Sequence, residues 1–438
     1  MTLLPFPEGH VAAVRSLAAG RASSVSDRER VSHVVRRLSI GANALDVANS
    51  STVEEAIATT LDLSAEPASM PEFEAPADFD AARNSRDLQI PLRHWLEQMV
   101  VSPRRIEERL VWFWHDHFAT SFRKVRLPYL FWQQHATVRL HATGRFDELL
   151  RAIARDPAML DYLDGRTNRA DAINENFARE VMELHTMGVG SYSQDDIVAA
   201  ARAFSGWIMV PGGAEHRRLA DAKPWSAAFV PFRHDDGEKT LLGVTGHHDM
   251  DDALDIILEQ PATATTVAAK LYQEIVGLRP DTAKTERLGT IFRAEWQVMP
   301  LIEEIVADPA FVSDEAIRAR VRSPLERLVG VVQGIETIPE AGRVAGAILD
   351  RVGFVPFNPP NPAGFPRGPR LLGPYQLAHS LDVAGIIARP APDYAVDELF
   401  ARLGLFDISN TTRQVVAAAP NPLSRIALAA SSPEYALT

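Results

Sequence analysis

Apolar residues in this chain recur at spacings of three and four, and the stripes begin with clear helix-start signals. Ser26 and Glu29 form a capping-box pattern ahead of a stripe that runs from Val31 to Leu38. Further starts of this kind lie at Thr52, Ser102, Ser193 and Ser323. Such stripes are typical of helices that pack on one core. The pattern therefore predicts a mainly α-helical protein built as a single large multi-helical domain.

Two segments interrupt the helical pattern. Residues 207–246 contain short β-like runs separated by proline and glycine, which predict a small β-hairpin or irregular insertion. Residues 355–374 hold seven prolines among twenty residues, a density that rules out a helix and predicts an ordered loop. We therefore expect an N-terminal extension over 1–25, a helical domain over 26–390, and a C-terminal helical tail over 391–438 that packs on the body.

Composition excludes several classes of function. The chain has no cysteine, so disulfides, thiolate metal sites and cysteine nucleophiles are absent. The net charge of -12 disfavours a nucleic-acid binder, and the one basic stretch, Arg123, Lys124 and Arg126, is interpreted as a solvated helix end. No apolar run is long enough to span a membrane, and Met1–Gly20 lacks the pattern of an export signal. We therefore expect a cytoplasmic protein with no membrane or nucleic-acid partner.

The first candidate segment for chemistry is residues 112–118, which contain His115 and His117 within an aromatic run. Two histidines spaced two apart can bind one metal ion where the chain is extended or turning. In a regular helix they point to different sides. A metal site therefore requires the predicted helix to end near His115. The alternative is that His117 lies at the edge of the core, with Asp116 hydrogen-bonded nearby.

The second candidate segment is residues 174–188, a predicted helix with Asn174 as its N-cap and Gly188 as its stop. Asn176, Glu180 and Glu183 lie on one face at spacings of four and three. Two carboxylates three apart repel unless they share a proton, a cation or a metal ion. The alternative is a solvated acidic face paired with Arg179. His185 is predicted to turn away from Glu183 unless the helix ends early.

A third segment, residues 233–243, is a polar loop whose residue types suit contact with an anion or a substrate. Together the three segments predict a pocket with a divalent metal ion bound by His115, His117, Glu180 and Glu183. The predicted catalytic residues are Glu180, Glu183 and His117. The predicted binding residues for a small polar or anionic substrate are Asn176, Arg179, His234, Asp235 and Lys239. A metal-activated water or oxygen species would hydrolyse or oxidise that substrate. In the rival hypothesis, the same side chains form a structural network in a non-catalytic accessory protein.

The ordered motifs of these segments resemble those of the domain-of-unknown-function family 1800, a set of bacterial proteins. The similarity lies in W-F-W-H-D-H-F at 112–118, in N-E-N-F-A-R-E at 174–180 and in F-N-P-P-N at 357–361, within a match from about residue 28 to about residue 388. The chain has Phe365 where the family pattern has tryptophan, and that pattern accepts phenylalanine where His185 stands. The resemblance implies an α-helical fold and a sulfatase-like neighbour as a partner. Many relatives carry an export signal, whose pattern we do not find in Met1–Gly20. The resemblance implies no particular reaction.

Overall fold

A computed structural model describes residues 25–41, 44–78, 80–81, 88–212, 223–336, 346–373 and 392–438. The described part is mainly helical, which confirms the fold class predicted from the sequence. The helices of its first half are α1 (Asp27–Leu38), α2 (Ala44–Asn49), α3 (Val53–Leu61), α4 (Gln89–Val101), α5 (Arg105–His117), α6 (Phe122–Val125), α7 (Pro128–His141), α8 (Phe146–Ala154) and α9 (Pro157–Tyr162). After α9, a 3-10 turn spans Gly165–Thr167.

The second half has further helices and four short strands. These are α10 (Asn176–Glu180), a π-helix (Val181–Thr186), α11 (Gln194–Ala203), β1 (Trp207–Met209), β2 (Ala227–Phe229), β3 (Lys239–Leu241), β4 (Val244–Gly246), α12 (Met250–Leu258), α13 (Pro261–Val276), α14 (Thr282–Glu295), α15 (Val298–Val306), α16 (Pro324–Ile335), α17 (Val396–Arg402), α18 (Asn410–Ala417), α19 (Pro422–Ala430) and α20 (Pro433–Ala436). Three more 3-10 turns lie at Pro231–Arg233, Pro309–Val312 and Gly368–Leu372. Among the described residues, no helix is long and apolar enough to cross a membrane.

Helix starts follow the predicted caps, with two exceptions, at α5 and α10. The N-cap of α10 is Glu175, and the predicted cap, Asn174, instead accepts a hydrogen bond from the Asn176 N–H at 3.0 Å. Ser193 and Ser323 form full capping boxes with the residues three positions later. The start of α5 differs from the prediction, because the helix begins at Arg105 and the hydroxyl of Ser102 accepts a hydrogen bond from the Arg104 N–H instead. The end of α5 also differs from what a metal site needs. Such a site requires the helix to end near His115, whereas α5 continues through His117.

The insertion between α11 and α12 consists of two separate two-stranded antiparallel sheets. In the first, β1 pairs with β2 so that Trp207 lies opposite Phe229. In the second, β3 pairs with β4 so that Lys239 lies opposite Gly246. The small β-insertion predicted over 207–246 is thus present as two short ribbons, joined by the polar segment 233–238.

The proline-rich segment is an ordered loop held by buried aromatic rings and by α5. Phe357 and Phe365 are almost fully buried, and their backbone N–H groups donate to side chains of α5. Gly364 lies between these anchors with φ +88°, and a Cβ there would come within 2.7 Å of the Asp116 carbonyl oxygen. This loop therefore requires glycine at position 364 for two reasons, a left-handed backbone and a close approach.

The C-terminal residues pack against the helical body. The Phe406 N–H donates to Glu29 of α1 at 3.0 Å, and Thr438 forms a β-bridge-like pair of backbone bonds with Arg320. The domain boundaries themselves stay a prediction, and the predicted N-terminal extension lies almost wholly outside the described residues.

We expect Gly364→Ala to lower the free energy of unfolding by roughly 2–4 kcal/mol, since it combines a left-handed backbone with a steric clash. Gly368 is the matched control, because it has φ +63° in the same loop and a Cβ at this position would meet no other atom within 4 Å. Gly368→Ala should cost only about 1 kcal/mol. Urea denaturation of both variants measures the difference. Equal losses would contradict the close approach of Gly364 to α5.

Candidate functional site

His115 anchors the proline-rich loop. Its Nε2 accepts a hydrogen bond from the Phe357 backbone N–H at 3.0 Å. The ring packs edge-on against Trp95 and Phe357, with centroid distances of 4.9 and 5.1 Å. Burial lowers the pKa of His115 to about 3, so the imidazole is neutral. The nitrogen that faces Phe357 is thus used within the core.

His117 points to a different side of α5, as expected for residues two apart in a continuous helix. Its Nε2 lies 3.0 Å from the His185 carbonyl oxygen, and its ring stacks on Phe113 at 5.8 Å. Burial, and then the nearby Lys270 ammonium, lower the pKa of His117 well below its usual value. His115 and His117 therefore contact different neighbours.

Between the two histidines, Asp116 joins α5 to the loop by three hydrogen bonds. Its carboxylate accepts the Phe365 N–H at 2.7 Å, Arg367 Nε at 3.0 Å and a second bond from Arg367 Nη2. Burial raises the pKa of Asp116, and the Arg367 guanidinium opposes that shift. Arg367 was not predicted from the sequence, because no local spacing relates it to a residue 251 positions earlier.

The second candidate segment departs from a regular α-helix in its middle. After α10 the backbone widens into the π-helix, where the Thr186 hydroxyl reaches the Val181 carbonyl five residues earlier at 2.6 Å. Lys270 of α13 donates to the Leu184 carbonyl at 2.6 Å. Burial lowers the pKa of Lys270 to about 8. Single π-helical turns inside α-helices occur frequently at functional sites.

His185 lies in the core at the end of the π-helix. The sequence predicts that His185 turns away from Glu183 unless the helix ends early, and Glu183 lies on the partly exposed side of the same segment. His185 is 1% exposed, its ring centroid lies 5.9 Å from that of His117, and its Nε2 has no hydrogen-bond partner among the described residues. Burial, followed by the charge of Lys270, lowers the pKa of His185 to about 3.

Glu180 and Glu183 lie on the partly exposed side of the same segment. The Tyr192 hydroxyl donates to Glu183 at 3.2 Å. Burial and the neighbouring Glu183 carboxylate raise the pKa of Glu180, whereas Arg179 opposes the shift. Burial and the charge of Glu180 raise the pKa of Tyr162 to about 12. The two carboxylates thus interact, as their spacing predicted. They lie on the partly exposed side of the segment, whereas His117 and His185 lie in the core.

No group of three or more His, Asp or Glu side chains within the described ranges lies close enough to hold a metal ion. His115, His117 and the Glu180–Glu183 pair each have different partners, so the structure does not bring the four predicted ligands together. Metal binding by these residues stays a prediction.

Asn176 and Arg179 line a surface cleft of about 970 Å³, which we call the arginine cleft. It lies beside the N-terminus of α10 and is lined by Arg166, Thr167, Arg169, Ala172, Ile173, Asn174, Glu175, Asn176, Arg179 and Arg233. Two of the three segments singled out in the sequence therefore meet here. Arg166 and Arg169 come from the preceding loop and were not predicted, because loop arginines follow no periodic pattern.

The side chain of Asn168 and one backbone hydrogen bond fix the walls of the arginine cleft. The Asn168 amide donates to the Ala201 carbonyl at 2.7 Å and accepts the Asn174 N–H at 3.0 Å. The Ala170 N–H donates to the Arg233 carbonyl at 2.8 Å. The loop that carries Arg166 and Arg169 is thereby joined both to α11 and to the segment that carries Arg233.

Three arginines of the cleft have a carboxylate partner. Arg166 pairs with Asp161, Arg169 with Asp171 at 2.9 Å, and Arg179 with Glu175 at 2.9 Å.

Arg233 differs from these three. None of the described residues places a carboxylate on its guanidinium, its Nη2 donates only to the Arg166 carbonyl at 3.2 Å, and its buried Nε has no partner.

The other predicted binding residues hold the segment after Arg233 without lining the cleft. Asp235 forms a two-point ion pair with Arg202, at 2.7 and 3.0 Å. Lys239 is 3% exposed and donates to the carbonyls of Asp235 and His248. His234 Nδ1 lies 3.0 Å from the Ser205 carbonyl oxygen. Direct substrate contact by His234, Asp235 and Lys239 stays a prediction.

The burial of His185 predicts a pH-dependent contribution to stability. As the pH falls below about 6.5, the unfolded chain protonates this imidazole, whereas the folded chain does so only near pH 3, so stability is lost on acidification. Replacing His185 with phenylalanine removes that contribution. The slope of unfolding free energy against pH, measured by urea titration between these values, should fall by about 1.4 kcal/mol per pH unit.

An unchanged slope in His185→Phe would show that this imidazole is not held neutral in the core.

A family model described as a protein of unknown function, DUF1800, matches residues 33–437. No curated protein and no solved structure matches the chain. The match covers both the helical core around α5 and the arginine cleft, and the motifs that carried the resemblance lie within it. The chain belongs to the DUF1800 family.

Proposed function

We propose that the protein binds an anionic small molecule, with a tetrahedral oxyanion such as phosphate or sulfate, in the arginine cleft. The observation that carries this proposal concerns Arg233. Its guanidinium has no carboxylate partner in the described part of the chain, and it lines the cleft together with three other arginines. Guanidinium groups present parallel N–H donors that match the oxygens of such anions. A concentration of arginines is also unexpected in a chain of net charge -12.

The ion pairs already present in the cleft do not prevent anion binding. Arg169 and Asp171 have side chains that are 50% and 75% exposed, and Arg179 and Glu175 are 39% and 37% exposed. Exposed pairs of this kind contribute roughly 0–1 kcal/mol each, so an anion with two or three acceptors competes with them. Asn174 adds a neutral donor, since its amide nitrogen reaches the Thr167 hydroxyl only at 3.5 Å.

We expect Arg233→Ala to weaken the binding of inorganic phosphate or sulfate about 10- to 100-fold, the value of a charge-assisted hydrogen bond. Isothermal titration calorimetry at fixed ionic strength measures the affinity. Arg287 is the matched control, because it is a surface arginine paired with Glu304 on α14 and α15. Wild-type affinity in Arg233→Ala, or an equal loss in Arg287→Ala, would contradict a specific anion site.

A second candidate function is the metal-dependent enzyme predicted from the sequence, acting as a hydrolase or an oxidoreductase. The raised pKa of Glu180 beside Glu183 favours it, because two adjacent carboxylates attract a shared proton or cation. A divalent ion on this pair would need further ligands, and His115 and His117 are engaged elsewhere.

Elemental analysis of the tag-free protein beside a Glu180→Ala, Glu183→Ala double variant tests this candidate. If the metal function holds, near-stoichiometric divalent metal is present in the wild type and lost in a folded double variant. Absence of metal from both proteins would contradict the metal-dependent function and leave the anion site unaffected.

Three finer predictions from the sequence stay proposals. These are a cytoplasmic location, a bacterial origin and a non-catalytic role beside a sulfatase-like protein. The last rests on family resemblance alone, and the anion site is compatible with either an enzyme or an accessory protein.

A further inference from the structure

A second cavity, of about 620 Å³, lies next to the arginine cleft and shares Arg166 with it, and we call the cleft and this cavity the first and the second lobe. Arg166 lines both volumes, and the rest of the second lobe is formed by Lys124, Val125, Arg126, Leu127, Asp161, Asp164 and Met209. Lys124 and Arg126 belong to the basic stretch that the sequence pattern indicated as a solvated helix end. In the structure this stretch is one wall of a concave surface next to the proposed anion site.

The turn between α6 and α7 presents Arg126 to this lobe. The short helix α6 ends when Arg126 takes a left-handed conformation, with φ +53°, and its N–H donates to the Phe122 carbonyl at 3.2 Å. Leu127 and Pro128 then start α7. Lys124, Arg126 and Arg166 all line this lobe.

The charges of the second lobe repeat the arrangement of the first. Lys124 pairs with Asp164 at 2.7 Å, and Arg166 pairs with Asp161. Arg126 donates its Nε to the Arg123 carbonyl at 3.2 Å, and no carboxylate of the described ranges lies on its guanidinium. Each lobe therefore offers one guanidinium without a carboxylate, Arg233 in the first and Arg126 in the second.

We infer that the ligand carries two anionic groups, one bound in each lobe, and that a small organic body beside Arg166 joins them. This inference rests on the proposed function and names its ligand class, an organic bisphosphate or a molecule of equivalent charge. Val125, Leu127 and Met209 give the second lobe an apolar wall for the body of such a molecule.

The two carboxylates of the second lobe distinguish this ligand from a long uniform polyanion. Asp161 and Asp164 lie at the wall of the lobe, where they would repel the successive charges of a nucleic acid or a sulfated polymer. A molecule with two separated anionic groups can instead place each group on an arginine and keep its neutral part near the carboxylates.

Hexane-1,6-diyl bisphosphate and hexyl phosphate test the inference, because they share one body and differ in the second phosphate. Isothermal titration calorimetry with the full chain should show the bisphosphate binding at least about tenfold more tightly than the monophosphate, the value of one further charge-assisted contact. Arg126→Asn should reduce bisphosphate affinity to that of the monophosphate and change monophosphate affinity by less than about twofold.

Asparagine is chosen at position 126 because it tolerates a positive φ, so the variant removes the guanidinium without opposing the turn. Arg123→Ala is the matched control, since Arg123 is exposed, belongs to the same basic stretch and lines neither lobe. It should leave both affinities unchanged. In Arg233→Ala, both phosphates should bind more weakly.

The outcomes separate this inference from the proposed function. If the two phosphates bind with equal affinity and Arg233→Ala weakens the binding of both, the two-lobe inference is overturned and the single anion site is retained. Binding of neither phosphate overturns both. A third outcome is that a heparin fragment binds more tightly than the bisphosphate and that Arg126→Asn abolishes this binding. This outcome would identify a polymer as the ligand and also overturn the inference.

Discussion

The helical body depends on the hydrogen bonds and ion pairs of one buried side chain, that of Arg109. Its guanidinium is fully buried, donates to Glu326 at 2.8 Å and Glu274 at 3.1 Å, and also bonds the carbonyls of Arg36 and Ser39. One side chain of α5 thereby joins α1, α13 and α16. Removing one member of such a buried network leaves an uncompensated charge, at a cost of about 3–5 kcal/mol. Because α5 and α13 also carry Asp116, His117 and Lys270, this network sets how the proline-rich loop and the π-helix pack.

The arginine cleft is built on irregular backbone that this core supports. The π-helix is fixed from the inside by Lys270 and His117, while α10, which continues into it, presents Asn176 and Arg179 at the surface. The loop before α10 is held by Asn168, and the segment after β2 is held by Asp235. Rigid support of this kind matters for recognition, because arginine side chains that are already positioned lose less entropy when an anion binds.

Periodicity and capping signals were sufficient to predict a mainly helical fold, a small β-insertion and an ordered proline-rich loop, because these are local properties of the chain. The polar face of residues 174–188 was also predictable, and Asn176 and Arg179 do line a cleft. Three features were not. The π-helix departs from the 3.6-residue period that the prediction assumed. The partners of His115 and Asp116 are backbone N–H groups and an arginine more than 200 residues away. Arg166 and Arg233 meet only through tertiary contacts between loops.

The proposed function requires that a tetrahedral oxyanion binds the Arg233 guanidinium in the arginine cleft. A crystal structure of the protein soaked in tungstate tests this most directly, because tungsten marks a tetrahedral oxyanion by its anomalous scattering. We expect an anomalous peak in the arginine cleft, within hydrogen-bond distance of the Arg233 guanidinium. A cleft open to solvent and without such a peak, at a tungstate concentration that fills other sites on the surface, would contradict it.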